Sequence, residues 1–178
     1  MVLIHSGGSS ADYEFGLLTR ILALLDVELL RTTTAMRSSP DPESDGLCDL
    51  GEFLIGSGFI AAQRYLNATR VDFGLSKAEA YEHPPLFRAP ITVAQAINTI
   101  SNYWKHFADW DEAEQQGIDP RAKGQSAITL RALDKMALPG SYPCADVLSQ
   151  LQPVEALSLE KLLPLLTEWR NSLMAQSK

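Results

Sequence analysis

Two long stretches of this 178-residue chain repeat an apolar residue every three or four positions, and they constrain its fold more than any other feature. The first stretch begins after Asp12, a residue type that often caps helices, and continues to about Arg37. The second covers residues 47–71. Apolar residues at this spacing lie on one side of an α-helix, so we predict two long helices. Their connection, SSPDPESDG at 38–46, is rich in proline and acids and is too short to separate two domains.

The first predicted helix carries two apolar stripes. Its main stripe consists of Phe15, Leu18, Leu22, Leu25, Leu29, Thr32 and Met36. A second stripe consists of Leu17, Ile21 and Leu24. Two stripes indicate contacts on two sides, which fits either a helix at the centre of a bundle or a helix whose second stripe is a dimer surface. Periodicity alone does not distinguish these interpretations.

Three glycines interrupt the second predicted helix, at Gly51, Gly56 and Gly58. Each costs about 1 kcal/mol relative to alanine in a helix interior, so we expect a compensating contact at these positions. Close approach of another helix is the interpretation that we favour. A glycine-rich loop that binds phosphate would require a preceding strand, which the sequence does not show. No motif indicates a cofactor, and we predict none.

Shorter elements follow the two long helices. Ser76 begins a capping-box pattern within the connector 74–90, where His83 is expected at the surface. Thr92 is the expected N-cap of a helix that extends to about Trp110. Further helices are predicted at 126–136, near 147–151, and after Ser158, with Pro164 expected to kink or delay the last one.

These elements predict an all-α fold. No segment alternates apolar and polar residues in the manner of a half-buried strand. We therefore expect a single domain, 1–178, built as a helical bundle with two long antiparallel helices, a central helix and a C-terminal helix. Residues 1–10, rich in glycine and serine, are expected to form a flexible N-terminal lead.

Composition restricts the class of protein further. Hydrophobic residues make up 46% of the chain and charged residues 21%, as in globular proteins. No apolar run reaches the roughly 20 residues that cross a bilayer, so no membrane role is predicted. The beginning of the sequence lacks the pattern of a signal peptide, which predicts a cytoplasmic protein. Cys48 and Cys144 lie far apart in sequence and indicate neither a disulfide nor a zinc site.

The segment 90–110, PITVAQAINTISNYWKHFADW, is where the sequence indicates chemistry. On a helix its apolar residues Val93, Ile97, Ile100, Trp104 and Phe107 take one face. The opposite face gathers Gln95, Asn98, Asn102, Lys105, His106 and Asp109. Amides, an ammonium group, an imidazole and a carboxylate side by side are what an active or binding site needs, although an ordinary solvated face can have the same composition.

We predict specific roles for these side chains. An imidazole can give or take a proton at neutral pH, so His106 can act as a general acid or base. Asn98 and Asn102 can orient His106 or a substrate, and Asp109 can accept a hydrogen bond from the imidazole ring. Lys105 can stabilise a phosphate group, and Arg64 and Arg70 of the second long helix are further candidate cations. This set suits metal-independent cleavage of RNA, and it suits phosphate binding alone equally well. His106 and Asp109 would supply only two metal ligands, so no metal site is predicted.

The sequence SNYWKH in this helix, following a long helical pair, resembles the HEPN group of small helical nucleases and nucleotide-binding proteins, whose motif is R-N-x-x-x-H. Asn102 and His106 match the motif, whereas Ser101 stands where the motif has arginine. The resemblance implies a metal-independent endoribonuclease, or a degenerate relative that binds RNA or a nucleotide. It also implies a homodimer that acts in a bacterial toxin, defence or stress system.

A wider stretch, NYWKHFADW, is similar to a set of uncharacterised bacterial proteins with an N-Y-x-K-H-x-x-E/D-W pattern. In those proteins a helix that reads like FIAAQRYL precedes the pattern. The similarity covers residues 47–110 and implies little about activity.

The formal net charge of −7 favours a different class of function. It argues against a broad nucleic-acid-binding surface, because phosphate binding requires fields of lysine and arginine, but it leaves room for a small basic site on RNA. The alternative prediction is a non-catalytic interaction module, antitoxin-like or immunity-like, that engages a basic protein partner. The acids available for such a surface are Asp41, Glu43, Asp45, Asp109, Asp111, Glu112 and Glu114.

Overall fold

The computed structural model describes residues 3–6, 9–137, 142–151 and 156–176, and helices dominate it. The all-α prediction is therefore confirmed. The helices are α1 (Tyr13–Ser38), α2 (Leu47–Asp72), α3 (Lys77–Tyr81), α4 (Val93–Gln115), α5 (Gly124–Leu133), α6 (Pro143–Leu151) and α7 (Leu162–Gln176), with a 3-10 turn at Leu159–Lys161.

Two small hairpins accompany the helices. Strand β1 (Leu3–Ser6) pairs antiparallel with β2 (Ser9–Asp12), and β3 (Leu86–Arg88) pairs antiparallel with β4 (Ile91–Thr92). Strands of two to four residues are too short to display an alternating pattern, which is why the sequence does not predict them. Part of the expected flexible lead, 1–10, thus lies in the first hairpin.

Helix boundaries follow the capping residues in the sequence. The carboxylate of Asp12 accepts a hydrogen bond from the backbone N–H of Phe15 at 2.9 Å, as predicted for the N-cap of α1. Ser76 and Thr92 each form a complete capping box at the start of α3 and α4. Pro164 lies in the first turn of α7, because the 3-10 turn after Ser158 delays the start of the α-helix.

The most buried helix is α2, and its neighbours pack around it. The start of α1 contacts the second half of α2, where the rings of Phe15 and Tyr65 lie 5.4 Å apart, so these two helices are antiparallel. Helix α4 is also antiparallel to α2, because Trp104 faces Gly56 while Asn98, earlier in α4, contacts Gln63, later in α2. The core between them includes Ile55, Phe59, Ala62, Leu66, Ile97 and Ile100.

Helix α1 packs on one side only. Leu22 and Leu29 of its main stripe are buried, whereas Ile21 and Leu24 of the second stripe are 46% and 68% exposed. The interpretation of α1 as the centre of the bundle is therefore wrong, and α2 occupies that position. Leu17 of the second stripe is half-buried, and Ile21 and Leu24 form an exposed apolar surface.

The prediction of close approach at the glycines is confirmed. A Cβ atom at Gly56 would lie 2.4 Å from the indole of Trp104, and a Cβ atom at Gly58 would lie 2.5 Å from Leu159. Real Cβ atoms essentially never come closer than 3.0 Å to such neighbours. Glycine is thus required for the contact of α2 with α4 and with the 3-10 turn.

Carboxylates from the two long helices hold the C-terminal elements in place. Asp26 of α1 accepts hydrogen bonds from the backbone N–H of Leu159 at 2.7 Å and of Glu160 at 3.0 Å. Glu52 of α2 accepts from Cys144 at 2.6 Å and from Ala145 at 2.9 Å, at the start of α6. Both carboxylates satisfy N–H groups that a helical turn leaves unpaired at its beginning.

A buried ion pair attaches α7 to the first helices. Arg170 donates to Asp12 at 2.7 Å, and the hydroxyl of Tyr65 donates to the same carboxylate at 2.8 Å. His83 is also buried, with its Nδ1 atom 3.4 Å from the hydroxyl of Ser172, so the expected surface position for this histidine is wrong. Packing of α7 over the end of α3 covers it.

Two further sequence-based expectations concern cysteine and the membrane. Cys48 and Cys144 are both free thiols. In the part of the chain that the structure describes, no helix has the length and apolarity required to cross a membrane.

Candidate functional site

The polar face of α4 meets α2 at a single buried glutamine. Gln63 is 5% exposed, and its Nε2 group donates to Oδ1 of Asn98 at 2.8 Å and to Oδ1 of Asn102 at 2.9 Å. Its Oε1 atom accepts from the ammonium group of Lys105 at 2.8 Å. Three predicted site residues therefore converge on Gln63, which becomes their common anchor.

These hydrogen bonds determine which polar groups remain available. An asparagine whose carbonyl oxygen accepts from Gln63 directs its NH₂ group elsewhere, and an ammonium group has three donor positions. Asn98, Asn102 and Lys105 consequently present donors, and donor-rich sites select anions. We call these three residues together with Gln63 the amide–lysine site.

Lys77 lies near enough to Lys105 and to Arg70 for their positive charges to act on it. Partial burial, followed by the positive charges of Lys105 and Arg70, lowers the pKa of Lys77. Partial burial also lowers the pKa of Lys105. Among the described residues, neither lysine forms a salt bridge with a carboxylate. The resulting concentration of positive charge is a local exception on an acidic protein.

Neighbouring hydrogen bonds fix the position of Arg70. Its Nε–H donates to Oδ1 of Asn67 at 3.2 Å, and its Nη1 group donates to the carbonyl of Leu75 at 3.2 Å. The hydroxyl of Tyr81 donates to the same oxygen of Asn67 at 3.2 Å. The guanidinium group is thereby held at the end of α2, next to the start of α3.

His106 lies one helical turn beyond Asn102. Its side chain is 53% exposed, and its Nδ1 atom is 3.2 Å from the carboxylate of Asp109, as the predicted pairing requires. The imidazole also stacks on the indole of Trp110, with 6.1 Å between ring centroids and 28° between ring planes. With its proton on Nδ1, the ring is oriented by Asp109 and presents Nε2 as a proton acceptor.

Ser101 occupies the motif position where HEPN proteins have arginine, and it lies in the core. The Ser101 hydroxyl donates to the carbonyls of Phe59 at 2.8 Å and Ile97 at 2.7 Å, and the residue is fully buried. A side chain at this position points towards α2, away from the exposed polar face. The cations near that face come from Lys105, Lys77 and Arg70.

Arg64 is not brought to the amide–lysine site. Its guanidinium group pairs with Glu14 at 3.4 Å, on the side of α2 that faces α1. There it lines a cavity of about 280 Å³ between α1 and α2. Of the predicted site residues, Asn98, Asn102 and Lys105 thus form one cluster. His106 and Asp109 form a pair on the following turn of α4. Arg70 lies near Lys77, which in turn lies near Lys105.

Sequence reasoning missed Gln63 and Lys77 as site residues. Gln63, Asn67 and Arg70 do form a polar edge at helical spacing, and this is the signal that the sequence contains. It does not specify which helix the edge faces. Lys77 comes from a five-residue helix whose position depends on the connector after α2.

Neither a metal site among the described residues nor a family relationship defines the chemistry of this site further. Within residues 12–137, 142–151 and 156–176, no three His, Cys, Asp or Glu side chains are placed to hold a metal ion. Comparison of the chain with protein-family models, with curated proteins and with solved structures found no match.

Proposed function

We propose that this protein binds the phosphate groups of single-stranded RNA at the amide–lysine site, as a HEPN-like helical protein. The observation that supports this proposal is the hydrogen-bond network of Gln63, which directs the donors of Asn98, Asn102 and Lys105 away from α2. Lys77 adds positive charge near Lys105, and Arg70 adds positive charge near Lys77. Phosphate oxygens are the acceptors that such a set recognises.

The aromatic surface next to this site favours RNA over an isolated phosphate. His106 and Trp110 form a stacked pair of rings on the exposed side of α4. Unpaired bases stack on aromatic rings, whereas the backbone phosphates follow cationic groups. A chain that places phosphates at Lys105 could place bases at this ring pair, one to two turns further along the helix.

On the same surface, His106 supplies the general base for RNA cleavage. In this proposal, the imidazole takes the proton of a ribose 2′-hydroxyl, the 2′-oxygen bonds to the adjacent phosphorus, and the P–O5′ bond breaks as the protonated imidazole returns the proton to the leaving 5′-oxygen. Asn102 orients the reacting groups, and Lys105 stabilises the charge that develops on the phosphate oxygens. Asp109 orients the imidazole through the contact with Nδ1. The reaction needs no metal, as in the endoribonucleases that the sequence motif resembles.

Binding is tested by fluorescence anisotropy with a labelled single-stranded RNA at several salt concentrations. We expect Lys105→Ala to weaken binding and to reduce the salt dependence by about 0.7 in the slope of log K against log salt, one phosphate contact on a single strand. Gln63→Glu should also weaken binding, because a carboxylate would pair with Lys105. Lys161→Ala, an exposed lysine of the 3-10 turn, is the matched control.

The results distinguish among ligands. Equal binding by Lys105→Ala and Lys161→Ala would contradict the proposed site. Competition by a mononucleotide at a concentration similar to that of the RNA would show that the ligand is a nucleotide. Cleavage is tested separately with excess chelator, where loss of activity in His106→Ala is the expected result for a metal-independent ribonuclease.

We also propose that the protein is a homodimer through the second stripe of α1. Ile21 and Leu24 are 46% and 68% exposed, and Leu24 is the more exposed of the two large apolar side chains. Leu24→Glu should convert a dimer to a monomer in light scattering coupled to size exclusion. A monomeric wild-type protein would contradict this part of the proposal.

A second candidate function follows from the distribution of acids. Asp41, Glu43 and Asp45 are all exposed in the connection between α1 and α2. Asp111, Glu112 and Glu114 are exposed in the last turns of α4. This arrangement supports the alternative of an antitoxin-like or immunity-like module for a basic protein. Absence of RNA binding together with salt-sensitive capture of a basic protein partner would favour it.

A further inference from the structure

A cavity of about 380 Å³ lies on the opposite side of α4 from the amide–lysine site, where α4 meets α2 and the start of α6. It is lined by Asp49, Glu52, Phe53, Tyr103, Trp104, Phe107 and Tyr142. Five of these residues are aromatic and the other two are acidic. None is basic, so the lining residues supply only π-electron faces, hydroxyl groups and carboxylates.

The aromatic rings form two walls at a large angle to each other. Trp104 and Phe107 are stacked, with centroids 5.1 Å apart and planes inclined by 27°. Tyr103 continues this wall, stacked on Phe107 at 6.0 Å. Phe53 meets Trp104 edge to face at 6.0 Å and 76°. Two walls of rings surrounding one space are the arrangement of an aromatic cage.

The position of Trp104 in this wall is built into α2. Gly56 leaves the space that the indole occupies, since a Cβ atom there would lie 2.4 Å from the ring. Ring contacts with Phe53 and Phe107 fix the indole from two further directions. The cage is therefore a packed feature of the contact between α2 and α4.

The carboxylates give the cavity a negative field. Both oxygens of Glu52 accept backbone N–H groups of α6, and these hydrogen bonds favour the ionised form of a carboxyl group whose pKa burial raises. Asp49 is exposed at the same cavity. Burial, with contributions from Cys144, Glu52 and Asp111, raises the pKa of Tyr103 to about 12, so the phenol remains neutral beside these carboxylates.

Two polar groups of the cavity are already engaged within the protein. The hydroxyl of Tyr142 donates to Glu43 at 2.7 Å, and Glu52 uses both of its oxygens on α6. The carboxylate of Asp49 and the hydroxyl of Tyr103 are the other polar groups of the cavity, and aromatic rings make up the rest of its lining. A cation with its charge spread over methyl groups needs no directional hydrogen bonds, unlike a metal ion or a primary ammonium group.

We propose that this aromatic–acidic cavity binds an organic cation that bears a quaternary alkylammonium group. Its volume is near the lower end of the range for ligand sites, about 300–1,000 Å³, which suits a small molecule or one methylated side chain. The aromatic residues that line the cavity and the carboxylates of Asp49 and Glu52 attract the cation. This site is independent of the proposed RNA site and uses none of its residues.

The test compares choline with 3,3-dimethyl-1-butanol, a neutral isostere in which carbon replaces the ammonium nitrogen. Binding to the full chain is measured by isothermal titration calorimetry and by tryptophan fluorescence. We expect saturable choline binding and an affinity for the neutral isostere that is weaker by about tenfold or more. Equal affinities would show a merely apolar cavity and would overturn the proposal, as would no choline binding below about 10 mM.

Two substitutions test whether choline binds at the aromatic cage. Phe107→Leu and Asp49→Asn should each weaken choline binding by about threefold or more. The matched controls are Tyr13→Leu, an exposed aromatic residue of α1, and Glu168→Gln, an exposed acid of α7, neither of which lines the cavity. If Phe107→Leu does not fold, the choline affinity of Asp49→Asn tests the site by itself. Unchanged affinity in a folded Asp49→Asn variant would overturn the site.

The source of the cation is distinguished in the same assay. A peptide containing trimethyl-lysine that binds more tightly than choline would identify a methylated protein as the source. Tighter binding of choline would identify a free small molecule. Both results support a quaternary ammonium site, because both ligands present the same trimethylammonium group.

Discussion

Substitution of Gly56 by alanine tests the close contact that organises the centre of this protein. A Cβ atom at this position would lie 2.4 Å from the indole of Trp104, whereas ordinary contacts begin at 3.4 Å. The ring would therefore have to move by about 1 Å. It has little freedom to do so, because Phe53 and Phe107 pack against it.

Two opposing effects determine the magnitude. Alanine is favoured over glycine in a helix by about 0.5–1 kcal/mol, whereas overpacking a core contact costs about 1–3 kcal/mol. We expect a net loss of about 0.5–2 kcal/mol in the free energy of unfolding. For a protein of this size that corresponds to a fall in Tm of about 1–8 °C, at about 2–4 °C per kcal/mol.

Gly16→Ala is the matched control, because Gly16 also lies in a helix but a Cβ atom there would meet nothing within 4 Å. This variant should be more stable than the wild type by about 0.5–1 kcal/mol. Both variants are compared by thermal denaturation and urea unfolding. If Gly56→Ala were as stable as Gly16→Ala, the argument from close contact would be refuted.

Three further predictions concern buried groups. Burial raises the pKa of Glu52 above 4.5, so its stabilising contribution is complete below that pH and is lost as pH rises through the folded-state pKa. Glu52→Gln should therefore flatten this part of the stability profile in urea titrations, and an unchanged profile would contradict the assignment. Asp12→Asn keeps a helix-capping side chain but leaves Arg170 without its charge partner, at a cost of about 3 kcal/mol in unfolding free energy. A loss below about 1 kcal/mol would show that this pair is not effectively buried. Ser101→Arg should lower Tm without creating ribonuclease activity, because the position faces the core; a stable, newly active variant would refute that reasoning.

Local sequence patterns predict the helices of this protein well. The apolar spacing of α1 and α2 and the capping residues Asp12, Ser76 and Thr92 act within a few residues of where they occur. Such signals do not require knowledge of the tertiary structure. For the same reason, they do not predict which stripe of a helix packs against another element. The exposed side chains of Ile21 and Leu24 could therefore not be predicted from their spacing.

The long-range polar contacts of this protein could not be predicted from its sequence. Asp26 caps a turn more than 130 residues later, and Glu52 caps a helix 92 residues later. Neither carboxylate has a local feature that distinguishes it from an exposed acid. The same is true of Gln63, whose partners in α4 lie 35 to 42 residues away. The face of α4 was predictable, but the residue that anchors it was not.

The two proposed sites share one contact between helices, and this gives a test of their independence. Gln63 and Gly56 are seven residues, about two turns, apart on α2, and each fixes a different face of α4. Lys105→Ala should therefore weaken RNA binding and leave choline binding unchanged, whereas Phe107→Leu should do the reverse. Gly56→Ala displaces the indole that lines the cage, so it should weaken choline binding more than RNA binding. Equal losses of both ligands in Lys105→Ala would instead indicate a single ligand site or general loss of structure, which the thermal denaturation of the same variant distinguishes.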